Sequence, residues 1–121
     1  MNIFLILKIL TSSALADIGT AVSYDLLYTP TRCYQNDPGQ FPSGNLFISV
    51  SEGLWDNGAA CGRRCRLKCI SGQNKPCVGS TIDVRVLDYC EACPATMKLS
   101  NDAFAQIASP GGGINVEYMQ I

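Results

Sequence analysis

Residues 60–87, ACGRRCRLKCISGQNKPCVGSTIDVRVL, hold two runs of alternating character joined by a turn-rich connection. From Ala60 to Ile70, Cys61, Arg63, Cys65, Leu67 and Cys69 share one face, and Arg64, Arg66 and Lys68 share the other. Side chains that alternate with a period of two mark a strand with one face turned inward. Ser71 to Ser80 carries Gly, Asn, Pro and Ser and reads as a connection. Thr81 to Leu87 is the cleanest strand of the chain. Ile82, Val84 and Val86 face a core, while Thr81, Asp83, Arg85 and Leu87 face away.

Working outward, the same grammar recurs. Thr20 to Tyr24 alternates, with Thr20, Val22 and Tyr24 on one face. Tyr28 to Gly44 contains Pro30, Pro38 and Pro42 and reads as a long loop. Leu46 to Val50 is a short apolar strand, and Asp56-Asn57-Gly58 is a turn. One helix is expected after Ser100, which is a good N-cap. Asp102 sits in its first turn, Ala103, Phe104, Ile107 and Ala108 form its apolar stripe, and Pro110 with three glycines ends it. Ile114 to Ile121 is a last strand. Many short strands with one late helix imply a small, mostly-β barrel.

The chain starts with an apolar run, Ile3 to Leu10, interrupted only by Lys8, and then Ala14-Leu15-Ala16. The run is shorter than the roughly 20 residues that span a bilayer. It reads as a secretory signal over 1–16, with Asp17 starting a single domain over 17–121. From Asp17 onward, eight basic residues face ten acidic ones, so no nucleic-acid or anionic-membrane partner is expected. Export also makes disulfides the default state of cysteine. There are seven, Cys33, Cys61, Cys65, Cys69, Cys77, Cys90 and Cys93, so at least one stays unpaired. Spacing alone leaves every pairing open. The chain has no His, which weakens a zinc site, and no metal or cofactor is expected.

Five stretches, GTAVSY (19–24), YTPTRCY (28–34), LWDNGAACGRRCRLKC (54–69), CVGSTIDVRVLDYC (77–90) and LSNDAFAQIASPGGGINVEYMQI (99–121), carry a family resemblance. In that order they resemble the plant natriuretic peptides and endoglucanase-45-like-domain proteins. These are small secreted relatives of the expansin N-terminal domain, of barwin and of family-45 endoglucanases. The resemblance implies a six-stranded double-psi β-barrel with one short helix and disulfide-stapled loops. It implies bridges Cys33–Cys61, Cys69–Cys77 and Cys90–Cys93. Cys65 then stands at a position that is usually aromatic in the family, as the free thiol.

Glycoside hydrolysis normally needs two carboxylates about 5–9.5 Å apart. In the enzymes this family resembles, an Asp within a Phe-Asp-Leu-Ser-like segment is the general acid. Here the segment reads Met97-Lys98-Leu99-Ser100, so Lys98 replaces the acid, and an ammonium is a poor proton donor to a leaving group. No catalytic residue is expected. Asp88 continues the inward row Ile82, Val84, Val86, and the resemblance puts it in the groove where expansins keep an Asp. Its alternative is a structural role. Asp83 is expected beside Arg85 as a solvated surface partner. Tyr24, Tyr28, Tyr34 and Trp55 offer an aromatic platform for sugar rings, or simply packing. Arg64, Arg66 and Lys68 offer a contact for an acidic receptor patch or pectic polysaccharide, or a solvated face that keeps a strand edge from pairing.

The expectation is a secreted, monomeric, non-catalytic signalling or stress protein of the plant apoplast. It would act in water and solute homeostasis through a cell-surface receptor. The alternatives are a protein that binds or loosens cell-wall polysaccharide, and a defence effector.

Overall fold

A computed structural model describes residues 16–121. The secretory signal expected over 1–16 lies, except for Ala16, outside the described residues. Six strands form the body: β1 Asp17–Tyr24, β2 Phe47–Val50, β3 Arg64–Gly72, β4 Thr81–Tyr89, β5 Met97–Ser100 and β6 Ile114–Gln120. They close into a barrel in the order β1-β5-β2-β4-β3-β6. The β1–β5 and β2–β4 pairs are parallel and the other four are antiparallel. This is the six-stranded double-psi β-barrel that the resemblance implies. Two short helices accompany it, α1 Glu52–Trp55 and α2 Asn101–Ile107, so a four-residue turn joins the single helix expected.

Alternation placed the lumen correctly. Ile82, Val84 and Val86 are buried, as are Leu67 and Cys69 of β3. Ala21, Ile48, Met97, Leu99, Ile107 and Val116 belong to the same buried cluster. β5 was not expected. Met97-Lys98-Leu99-Ser100 does alternate, but four residues are too few for a period to stand out. β2 is buried along its whole length because it has two interiors to face. Ile48 and Val50 face the lumen, whereas Phe47 joins Tyr28 and Leu87 in a second cluster outside the barrel wall, with Tyr24 and Phe41 packed against it.

That second cluster corrects two expectations. Leu87 does face away from the lumen, but it is fully buried. In addition, Ile48 pairs with Val86 and Ser49 with Asp88, which makes Leu87 an extra residue, a bulge. The two-residue alternation therefore does not run through to Asp88. Its carboxylate instead accepts a hydrogen bond from the backbone N–H of Arg32, 2.8 Å away in the 31–35 loop.

Local chemistry explains the remaining elements. Ser100 caps α2, its Oγ accepting from the Ala103 N–H at 3.1 Å. The helix stops at Ile107, before Pro110 is reached. Ala108 is extended and bridges Cys77, and the Val78 N–H donates to the Ile107 carbonyl at 3.0 Å. The long 28–44 loop is ordered by two buried polar side chains. The Thr31 hydroxyl donates to Gln40 Oε1 at 2.6 Å, and Gln40 Nε2 donates to the carbonyls of Gln35 and Asp37. Bridges Cys33–Cys61, Cys69–Cys77 and Cys90–Cys93 are formed and Cys65 is free, as the resemblance implies.

Candidate functional site

Beyond the bulge, β4 ends in Asp88 and Tyr89, both partly exposed. Asp88 Oδ1 accepts from the backbone N–H groups of Arg32 and Tyr89, both at 2.8 Å. The carboxylate thus ties the 31–35 loop to the strand end, which is the structural role weighed above. The main-chain bond from the Cys33 N–H to the Leu87 carbonyl, 3.2 Å, reinforces the same joint.

On this joint three side chains stack. The Arg32 guanidinium lies 5.2 Å from the centre of the Tyr89 ring. Tyr89 lies 5.2 Å, centre to centre, from Trp55, with the rings inclined at 37°. The Tyr89 hydroxyl donates to Glu52 Oε1 at 2.6 Å, and that bond, more than burial, raises the phenol's pKa. Glu52 and Trp55 are the two ends of α1, so the helical turn presents both to Tyr89. Arg32 also reaches Glu91 at 4.0 Å, an exposed pair of little energetic weight.

Trp55 is thereby the predicted aromatic that joins a surface constellation. Tyr89, Arg32 and Glu52 escaped the sequence reading. Tyr89 directly follows Asp88, but nothing local announces that a tryptophan far back in the chain will stack on it. Tyr24 belongs to the second cluster. Its ring packs edge-on against Tyr28 at 5.2 Å and Phe47 at 6.2 Å. Burial, then the charge of Asp88, raise its phenol's pKa, and among the described residues its buried hydroxyl has no hydrogen-bond partner. Tyr28 is buried too, and its hydroxyl accepts from the Asn101 N–H at 3.1 Å. Tyr34 is exposed and crosses Gly62, where a Cβ would lie 2.8 Å from the phenol oxygen. Gly62 also has a φ of +83°, so it is glycine for two reasons.

Lys98 sits on β5 between Val22 of β1 and Ser49 of β2. The basic residues lie elsewhere, on the outer face of β3. Arg66 grips Asp83 through two bonds of 2.8 and 3.1 Å, and Arg64 stands 3.7 Å from the same carboxylate. Asp83 therefore partners Arg66 rather than Arg85, and the Arg66 bond lowers its carboxyl pKa. Lys68 pairs in register with Thr81 and Glu117. Because β3 lies between β4 and β6 in a closed barrel, it has no free edge, and the edge-guarding reading of this stripe is set aside. Among the described residues no cluster of His, Cys, Asp and Glu is arranged to hold a metal, and no helix is long and apolar enough to cross a membrane.

Residues 48–118 match the family model described as lytic transglycolase, a double-psi barrel. An EG45-like domain containing protein of Citrus jambhiri is 38% identical over 120 residues, which cover 93% of this chain and 87% of that one. EG45-like domain containing protein 2 of Arabidopsis thaliana is 41% identical over 119 residues, 94% of this chain and 88% of its own. The chain belongs to the EG45-like domain family. Among solved structures, this EG45-like chain superposes on the apo expansin of Clavibacter michiganensis with a TM-score of 0.69, at 24% identity and over 88% of its length. It spans 50% of that expansin. A variant of the same expansin, crystallised in complex with cellohexaose, superposes equally well. At such identity the likeness speaks for the fold.

Proposed function

We propose that this EG45-like protein is an extracellular, non-hydrolytic protein of the plant cell wall that binds polysaccharide on the Trp55–Tyr89 stack. The observation that carries the reading is the stack itself, Arg32 on Tyr89 on Trp55, displayed beside Asp88 at the surface end of β4. Flat aromatic faces suit the apolar faces of sugar rings, and Arg32, Glu52 and Glu91 supply hydrogen-bonding groups for the hydroxyls. An expansin of the same fold, solved with cellohexaose, supports the ligand class. Lys98 at the position where the resemblance expects an acid supports binding without cleavage. Three disulfides suit an oxidising exterior.

Sedimentation with insoluble cellulose and with pectin tests this reading. Trp55→Ala is expected to weaken retention at least about tenfold, the loss of about 1.4 kcal/mol expected of an aromatic anchor. Tyr89→Ala is expected to do the same. Retention unaltered by either substitution would remove the stack as the binding surface.

Signalling in water and solute homeostasis is the second reading. It draws on the outer face of β3 and its neighbours β4 and β6, where Arg64, Arg66, Lys68 and Arg85 outnumber Asp83 and Glu117. Under it, oxidised protein swells plant protoplasts, and a variant neutralised at Arg64, Arg66 and Lys68 does not. A folded, oxidised protein that leaves protoplast volume unchanged would sink it.

A further inference from the structure

A pocket of about 370 Å³ opens where β1 begins, at the opposite end of that strand from Tyr24. Val50, Ala60 and Val86, all buried, form its floor, and Leu54, Cys65 and Tyr118 form its walls. No member of the Trp55–Tyr89 stack lines it. Pockets that hold small molecules occupy about 300–1,000 Å³, are mostly apolar and carry a few convergent polar groups. This one fits that description. Asp17 and Arg63 stand at its rim, one of each charge, and Arg63 is already held by Asp56 at 2.8 Å.

The walls say what kind of molecule suits the space. Cys65 lies on the inward row of β3 with Leu67 and Cys69, and its short side chain leaves open the volume a larger residue would fill. Burial raises the pKa of its thiol, Arg63 opposing, so the sulfur presents itself as a neutral, polarisable group. Burial likewise raises the Tyr118 phenol's pKa, with Asp17 and Cys65 adding to it. A sulfur and a tyrosine ring on apolar walls favour an aromatic guest through sulfur–ring and ring–ring contact. With Arg63 already paired to Asp56, the rim offers, among the described residues, no free cation to hold an anionic guest.

We propose that the Cys65 pocket is a binding site for a neutral small molecule built on one or two aromatic ring systems. The site is independent of polysaccharide binding at the Trp55–Tyr89 stack.

The test uses N-phenyl-1-naphthylamine, a neutral two-part aromatic dye whose fluorescence rises in apolar surroundings. Added to the oxidised protein, it is expected to give a saturable rise with a stoichiometry of one. Cys65 is the one cysteine outside a bridge, so alkylation by iodoacetamide reports on the pocket alone. At ten times its Kd, mass action leaves about one site in eleven empty, so alkylation should slow about tenfold. Cys65→Phe fills the space and should weaken the dye at least about tenfold. A rise without saturation, or saturation that leaves the alkylation rate unchanged, overturns the proposal. So does a folded Cys65→Phe protein that binds the dye like the unaltered one. Where Cys65→Phe does not fold, the alkylation rate of the unaltered protein decides.

Discussion

Replacing Phe47 by Ala is expected to cost about 3–5 kcal/mol, the range for a large aromatic cut from a sealed interior. Phe47 is fully buried although it points away from the barrel lumen. Its ring meets Tyr28 edge-on at 4.8 Å, Phe41 at 5.2 Å and Tyr24 at 6.2 Å. Its loss removes transfer energy and several aromatic contacts together, and the cavity is fenced by β2 and β4, which cannot close on it. Net stabilities run at about 5–15 kcal/mol, so this single change removes a large share. Urea unfolding followed by circular dichroism checks it. Phe47→Leu, which keeps most of the volume, should cost about 1.5 kcal/mol or less. Ile18→Ala, at a 63%-exposed position, should stay within about 0.5 kcal/mol. A Phe47→Ala cost below that of Phe47→Leu would show that the outer cluster is not a second core.

Removing the Cys33–Cys61 bridge by the double change Cys33→Ser and Cys61→Ser ranks next. The bridge closes a loop of 28 residues, and the chain-entropy model gives about 3.5 kcal/mol for that length. The same model gives about 2.5 kcal/mol for Cys69–Cys77, separated by 8 residues, and about 1.6 kcal/mol for Cys90–Cys93, separated by 3. Urea midpoints of the three double-serine variants should fall in that order. Equal losses would mean that native-state packing around each bridge, rather than the freedom of the unfolded loop, sets its value. The first bridge has a further consequence. It ties the loop bearing Arg32 to Cys61, in the segment that follows Trp55, so its removal should also weaken retention on polysaccharide.

The strands of this protein that are long and alternate between apolar and polar residues are legible without any structure. Thr81 to Val86 is the best case, since each inward side chain there was named from spacing alone and each is buried. Ser100 announces its helix just as plainly, because a cap is a bond between residues three apart. Where a signal needs a partner from far along the chain, local reading stops. Leu87 and Asp88 show this within two residues. The bulge exists only because β2 pairs with β4 in a shifted register, and nothing within β4 records that shift. Ala108 shows it again. It ends α2 by bridging Cys77, whereas the sequence points to Pro110.

By itself, then, the amino-acid sequence determined the odd cysteine count, five of the six strands, the faces of β3 and β4 and the start of α2, and these elements rest on neighbours a few residues apart. Barrel closure, which left β3 without an edge, was decided only in three dimensions. So were the second core around Phe47, the stacking of Trp55 on Tyr89 and the pocket beside Cys65. Each of these depends on contacts between segments distant in the chain, whose free energy appears only when β-pairing has brought them together.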